Sequence, residues 1–172
     1  SMNKLKLPSP IGYSSVGKVI EVADDIKNIS VGDTVACGGM GHAEIISVPR
    51  NLCAKVPSGV KNEHAAFTTI ASIAMQGVRQ ADAKIGESIG VIGLGLIGQI
   101  TLKILEASGC DPVGIDIDKN SISHAEKSGF VCFNSNDKSL SSKIKNITEG
   151  HGFDKIIICA ATKSNDPLEM SV

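Results

Sequence analysis

Ile89-Gly-Val-Ile-Gly-Leu-Gly-Leu-Ile-Gly98 runs from a short apolar segment into three glycines spaced G-x-G-x-x-G, and its reading decides the fold. An apolar run of this length bounded by glycine predicts a buried strand, Ile89 to Ile92. The residues that follow carry Gln99, Lys103 and Glu106 as a polar stripe, which predicts a helix to about Ser108, closed by Gly109. Each glycine of the turn has a mechanical reason. Gly93 permits the tight bend, Gly95 lets a pyrophosphate approach the backbone without a Cβ in the way, and Gly98 lets the helix pack close to the sheet. Free amides over Gly93, Gly95, Leu96, Ile97 and Gly98, at the positive end of the helix dipole, would hold the anion. Asp116 stands 18 residues after Gly98, at the end of the next predicted strand. Its carboxylate can accept both hydroxyls of an adenosine ribose and repels a 2′-phosphate, so the expected cofactor is NAD rather than NADP, a preference that nearby Lys119 moderates. Ile117 beside that acid and Ala160 at the end of a later strand complete the expected cofactor contacts. Two other readings remain open: a tight turn without a ligand, and a site for S-adenosylmethionine, whose folds also use a glycine-rich first turn followed by an acid.

Downstream, strand and helix keep alternating. Val113–Ile117 reads as a strand, Asp118–Ser128 as a helix ending at Gly129, and Val131–Phe133 as a strand. A helix around Leu140, Ile144 and Ile147 then ends at Gly150, and a strand from Lys155 to Ala160 follows. This alternation predicts an α/β fold with a parallel sheet and helices on both faces. Asn165-Asp166-Pro167 has the residues of a helix start, only a few positions before Val172, which reads as a chain cut within a domain. Upstream the pattern differs. Gly17–Val22, Thr34–Cys37 and Ala43–Val48 are short β-like runs between turn residues, expected to form part of a β-barrel or sandwich. Residues 63–80 read as one Ala-rich helix joining the two halves, with Asn62 at its cap. The expected domains are residues 1–60 and 61–172.

Composition narrows the functions open to these halves. The chain has 172 residues, 42% apolar and 20% charged, and no apolar stretch approaches the roughly 20 residues of a membrane span. Net charge is −1, without a basic stripe for a phosphate backbone, so neither nucleic acid nor a membrane is an expected partner. Five cysteines at 37, 53, 110, 132 and 159 contain no C-x-x-C pair, and they read as small core residues of a protein in a reducing cytoplasm. The four histidines, His42, His64, His124 and His151, show no ligand spacing and are expected at the surface.

The ordered set Gly12, Val16-Gly-Lys-Val19, Val31-Gly-Asp-Thr-Val35, Ala43-Glu44, Val48-Pro49, Lys84-Ile-Gly-Glu87, Val91-Ile-Gly-Leu-Gly-Leu-Ile-Gly98, Gly114-Ile-Asp-Ile-Asp118 and Gly150-His-Gly-Phe-Asp154 resembles the medium-chain dehydrogenase/reductase superfamily, the zinc-type alcohol dehydrogenase-like proteins. The similarity runs from Gly12 to Ala161. It implies a partial GroES-like catalytic β domain followed by a truncated Rossmann domain, a nicotinamide cofactor and hydride transfer. It also implies that the sequence is an internal segment, catalytically incomplete alone, of a protein whose relatives are often homodimers. Where zinc-dependent members carry Gly-His-Glu this chain has Gly12-Tyr13-Ser14, and their third ligand falls near Thr68. Of the four cysteines of the structural zinc lobe only Cys37 is present, so no metal is expected at either place.

Tyr13 then stands where the imidazole would be, either as a proton donor or as a phenol packed at a domain edge. Ser72 matches a position where the family sets a small hydroxyl near the nicotinamide, or is a plain helix residue. The expectation is an NAD(H)-dependent, zinc-independent oxidoreductase acting on an alcohol or carbonyl of a small polar, sugar-like substrate. The alternative is a non-catalytic dinucleotide-binding module.

Overall fold

The structure, a computed structural model, describes residues 12–162 and 165–169, so the expected first domain is seen only from Gly12 onward. Two compact units divide between Ser72 and Ile73. The first holds three strands, β1 (Ser14–Lys18), β2 (Thr34–Gly38) and β3 (Cys53–Lys55), antiparallel in the order β1-β2-β3. Val35 and Cys37 of β2 form a small core with Ile29, packed by Val19, Val22, Ile26, Ile46 and Val48.

Four expectations for the stretch up to Gln80 need correction. β1 lies earlier than Gly17–Val22, because its partner β2 starts only after the turn at Ser30–Asp33; Val19 N–H still reaches the Asp33 carbonyl at 2.9 Å, where the pairing ends. Ala43–Val48 forms no strand. Ile46 and Val48 pack on the small core while Ile45 is exposed, so the alternation marks a loop lying half-buried on the sheet. The actual partner of β2 is Cys53–Lys55, entered through a 3-10 turn at Arg50–Leu52. The expected helix over 63–80 is two helices, α1 (Asn62–Ala65) and α2 (Thr68–Gln80). The Thr68 hydroxyl donates to the Ala65 carbonyl at 2.7 Å and Phe67 N–H tightens onto His64, which ends the first helix after one turn. Lys61, not Asn62, holds the cap position, without a side-chain bond.

The second unit alternates β4 (Ser88–Ile92), α3 (Leu96–Ala107), β5 (Asp111–Asp116), α4 (Lys119–Lys127), β6 (Val131–Asn134), α5 (Leu140–Ile147), β7 (Lys155–Ile158) and a short α6 (Asp166–Glu169). Its four strands are parallel in the order β6-β5-β4-β7, as expected of a Rossmann-type sheet flanked by helices. β5 starts two residues earlier than Val113, taking in Pro112, and β7 ends at Ile158. α3 packs on β4 and β5, and α4 on β5 and β6. Ile89, Val91, Leu102 and Leu105 are fully enclosed in the core between them, which is why β4 reads as a continuous apolar run. After β6 the chain returns to the far side of β4, so the strand order reverses between β4 and β7. A crevice at the carboxyl ends of the strands is expected at such a reversal.

Candidate dinucleotide site

The glycine turn leaves β4 at this reversal. Gly93 has φ +96°, and a Cβ there would stand 2.5 Å from the Ala160 nitrogen, so both the conformation and the closeness of the chain after β7 require glycine. A Cβ at Gly98 would overlap the carbonyl oxygen of Gly93, which holds α3 tight against the turn. Gly95 differs from both. A Cβ there would meet nothing within 4 Å, and the residue caps α3 without any side-chain bond. The first-turn amides after it have no acceptor within the helix. The bend is therefore not plugged, and its donors sit at the positive end of α3.

Asp116 ends β5 beside this turn. Its Oδ2 accepts from Leu94 N–H at 2.5 Å and its Oδ1 from Asp118 N–H at 2.8 Å, so both carboxylate oxygens are fixed while each keeps a further acceptor site. Ile117, the next residue, is 65% exposed. Ala160 is half-buried, against Gly93. Gly93, Gly95, Leu96, Ile97, Gly98, Asp116, Ile117 and Ala160 all belong to the second unit, on the loops and ends that follow β4, β5 and β7.

Two supporting residues were not identified from sequence. Leu94, only 1% exposed, lies over Gly114, where a Cβ would come within 2.9 Å of its methyl, and this sets the height of the turn. Gln99 Nε2 donates to the Leu94 carbonyl at 3.1 Å and to the Ser121 carbonyl at 3.0 Å, tying the turn to the start of α4. An apolar residue between two turn glycines was a usable signal for the first; Gln99 looked like part of a polar helix face. α4 itself begins at a well-formed cap. The Ser121 hydroxyl, then the amides of Ser121 and Asn120, hold the Asp118 carboxyl below the usual carboxylate range. Beneath the turn, burial raises the Cys159 thiol, whose sulfur lies 3.7 Å from the Thr101 hydroxyl.

Tyr13 and Ser72 lie in the first unit. Tyr13 is 45% exposed just before β1, with its carbonyl accepting from Gly39 N–H. The Ser72 hydroxyl donates to the Thr68 carbonyl one turn back at 2.8 Å. Among the described residues no three His, Cys, Asp or Glu side chains cluster as metal ligands would, and the Thr68 hydroxyl is engaged with Ala65. A recess of about 280 Å³ in the second unit opens by Ser88, Asp111, Pro112 and Val131, at the opposite ends of the strands from the glycine turn. The turn is open above Gly95, which suits a ligand lying across the strand ends.

The sequence model of the family described as zinc-binding dehydrogenase matches residues 97–170. A curated relative, D-guloside 3-dehydrogenase of Escherichia coli (strain K12), is 32% identical over 151 residues, covering 86% of this chain and 43% of that protein. The chain thus spans less than half of that relative's length. Among solved structures, the alcohol dehydrogenase TADH from Thermus sp. ATN1 superposes with a TM-score of 0.81 at 22% identity, over 91% of this chain and 56% of the other. Escherichia coli quinone oxidoreductase complexed with NADPH superposes with a TM-score of 0.76 at 21% identity, over 97% and 54%. At these identities the structural likeness shows the fold.

Proposed function

We propose that this chain, which resembles the medium-chain dehydrogenase/reductase superfamily, is part of an NAD(H)-dependent, zinc-independent oxidoreductase whose substrate is a secondary alcohol, or the matching carbonyl, of a sugar or glycoside. The observation that carries this reading is the open backbone at Gly95, above the amides of α3 and beside an acid already fixed by two backbone donors. A diphosphate fits those amides, and the remaining acceptor capacity of Asp116 suits the two hydroxyls of an unphosphorylated ribose. Its negative charge is the basis for NAD over NADP. When bound, the nicotinamide supplies the hydride acceptor or donor.

The residues at the family's zinc positions do not fit a metal. Tyr13 offers a phenol where an imidazole would be needed, and Thr68, its hydroxyl engaged with Ala65, stands where a thiolate would be needed. Tyr13, 45% exposed, is the group we assign to donate a proton to the substrate oxygen when the carbonyl is reduced. Ser72, although donating to Thr68, keeps lone pairs that can accept from a ligand. The sugar-like substrate rests on the relative named for D-guloside.

The test is NADH oxidation by protein including the flanking sequence, against a panel of keto-sugars and simple aldehydes. Turnover with keto-sugars supports the proposal. Tight NADH binding without turnover on any carbonyl would favour a non-catalytic dinucleotide module, the reading that the missing metal ligands otherwise invite.

A further inference from the structure

Cys37 of β2 and Cys53 of β3 are register partners, with sulfurs 3.8 Å apart. The phase of the ladder fixes what kind of pair they form. Val56 N–H donates to the Thr34 carbonyl at 2.9 Å, so residues 34 and 56 are a hydrogen-bonded pair; by alternation 36 and 54 are another, while 37 and 53 are not bonded to each other. The other edge of β2 agrees, because Gly39 N–H bonds the Tyr13 carbonyl at 2.8 Å, two residues on from the pairing of Ser15 with Cys37. Non-hydrogen-bonded antiparallel partners bring their Cα atoms to about 4.5 Å, inside the window of about 4.4–6.8 Å that a disulfide spans. Bridging the two sulfurs therefore asks for side-chain rotation and no backbone movement. The remaining cysteines lie in the second unit; Cys110 donates to the Lys84 carbonyl and Cys159 meets Thr101.

We infer that Cys37 and Cys53 are a reversible modification site, forming a cross-strand disulfide by exchange with a low-molecular-weight disulfide such as oxidised glutathione. The thiolate of Cys53, the half-buried partner, attacks one sulfur of the small disulfide, making a mixed disulfide and releasing one small thiol. Cys37 then loses its proton and attacks the Cys53 sulfur, releasing the second small thiol. Two protein thiols are oxidised by two electrons, and the small disulfide leaves as two thiols carrying both protons. Burial, and then the neighbouring Cys53, push the Cys37 thiol up to about 11, so Cys37 enters second, against a sulfur already in contact. The bridge would close residues 38–52 into a ring. His42, Ala43 and Ile46 of that ring line a recess of about 310 Å³ with Ser14. Oxidation would thus fix the wall of a cavity in the first unit.

The experiment incubates the folded chain with a series of reduced-to-oxidised glutathione ratios, quenches with acid, alkylates in denaturant and maps peptides by mass. Alkylatable thiols are expected to fall from five to three, with the Cys37–Cys53 linked peptide exceeding any other disulfide by about tenfold or more and dithiothreitol restoring all five. Cys37→Ser should stop at the mixed disulfide on Cys53, with circular dichroism unchanged. Five free thiols throughout, a stable glutathione adduct on Cys53 of the unaltered chain, or a dominant link to Cys110, Cys132 or Cys159 would overturn the inference.

Discussion

At Gly95 the backbone is ordinary, with φ −66° and ψ −169°, and the space around its missing side chain is empty. Folding asks of that position only the cap of α3, where Val is poorer than Gly, whereas a ligand on the amides of α3 needs the open space itself. Gly95→Val should therefore lower NADH affinity by about tenfold or more, roughly 1.4 kcal/mol. Its thermal midpoint should fall by no more than about 4 °C, the poorer cap costing about 1 kcal/mol. Fluorescence titration and a thermal scan measure the two, and unchanged affinity would end the assignment of the turn. Gly93→Ala should do the reverse in kind, since φ +96° and the approach of Ala160 penalise the fold itself, by about 1–3 kcal/mol. Asp116→Ala is more complicated, because it also strips the acceptors from Leu94 and Asp118 N–H. That loss falls on both cofactors alike, so the informative quantity is the ratio: NAD should weaken more than NADP. Equal loosening of the two would remove the ribose argument.

Among elements, what could be read in advance follows from how local the cause is. β4, its glycine turn and α3 were legible because each glycine answers a local demand of backbone geometry, and because a strand buried on both faces shows as an unbroken apolar run. The third strand of the first sheet was not, since Ala43–Val48 has the better β composition and Cys53–Lys55 wins only through pairing with a strand about 16 residues away in sequence, a choice no short window contains. The break between α1 and α2 rests on one hydroxyl, Thr68, bonding a carbonyl three residues back. At the candidate site the same division holds: the turn glycines and Asp116 could be named from sequence, but Leu94 and Gln99 act through Gly114 and Ser121, which only the fold brings near. Several elements also share a pH signature. Lys55 beside Asp33, Lys155 beside Glu87, the Ser121 hydroxyl on Asp118 and Lys143 beside Asp137 hold all four carboxyls below their ordinary range. A folded value below the unfolded one stabilises the fold above the unfolded value, about 4, and that contribution is lost as pH falls through the folded values. The thermal midpoint should thus be level from about pH 6 to 4.5 and drop below about pH 4. Asp137→Asn should lower the plateau and flatten part of the drop; an unaltered curve would mean that its bonds to Lys143 and Ser139 are not held in solution.

For the sheet as a whole, the order β6-β5-β4-β7 makes its two ends unequal. The carboxyl ends carry the glycine turn, Asp116 and Ala160, while the amino ends carry the recess by Ser88 and Asp111. The recess lacks helix-start amides, and the proposal follows the chemistry of the carboxyl ends. Hydrogen exchange separates them directly. In the free chain the amides of Leu96 and Ile97 have no intrahelical acceptor and should exchange quickly, at labelling times too short for global opening. NADH should slow exchange in peptides covering residues 93–99 by about fivefold or more, with a smaller effect over 116–121, because a bound diphosphate supplies the acceptors those amides lack. Peptides at the amino ends, over Glu87–Ile89 and around Asp111 and Val131, should be unchanged at the same times. A uniform slowing would report only general stabilisation by ligand. Protection confined to the Ser88 end would place the nucleotide in the recess, and the diphosphate could not then lie on α3.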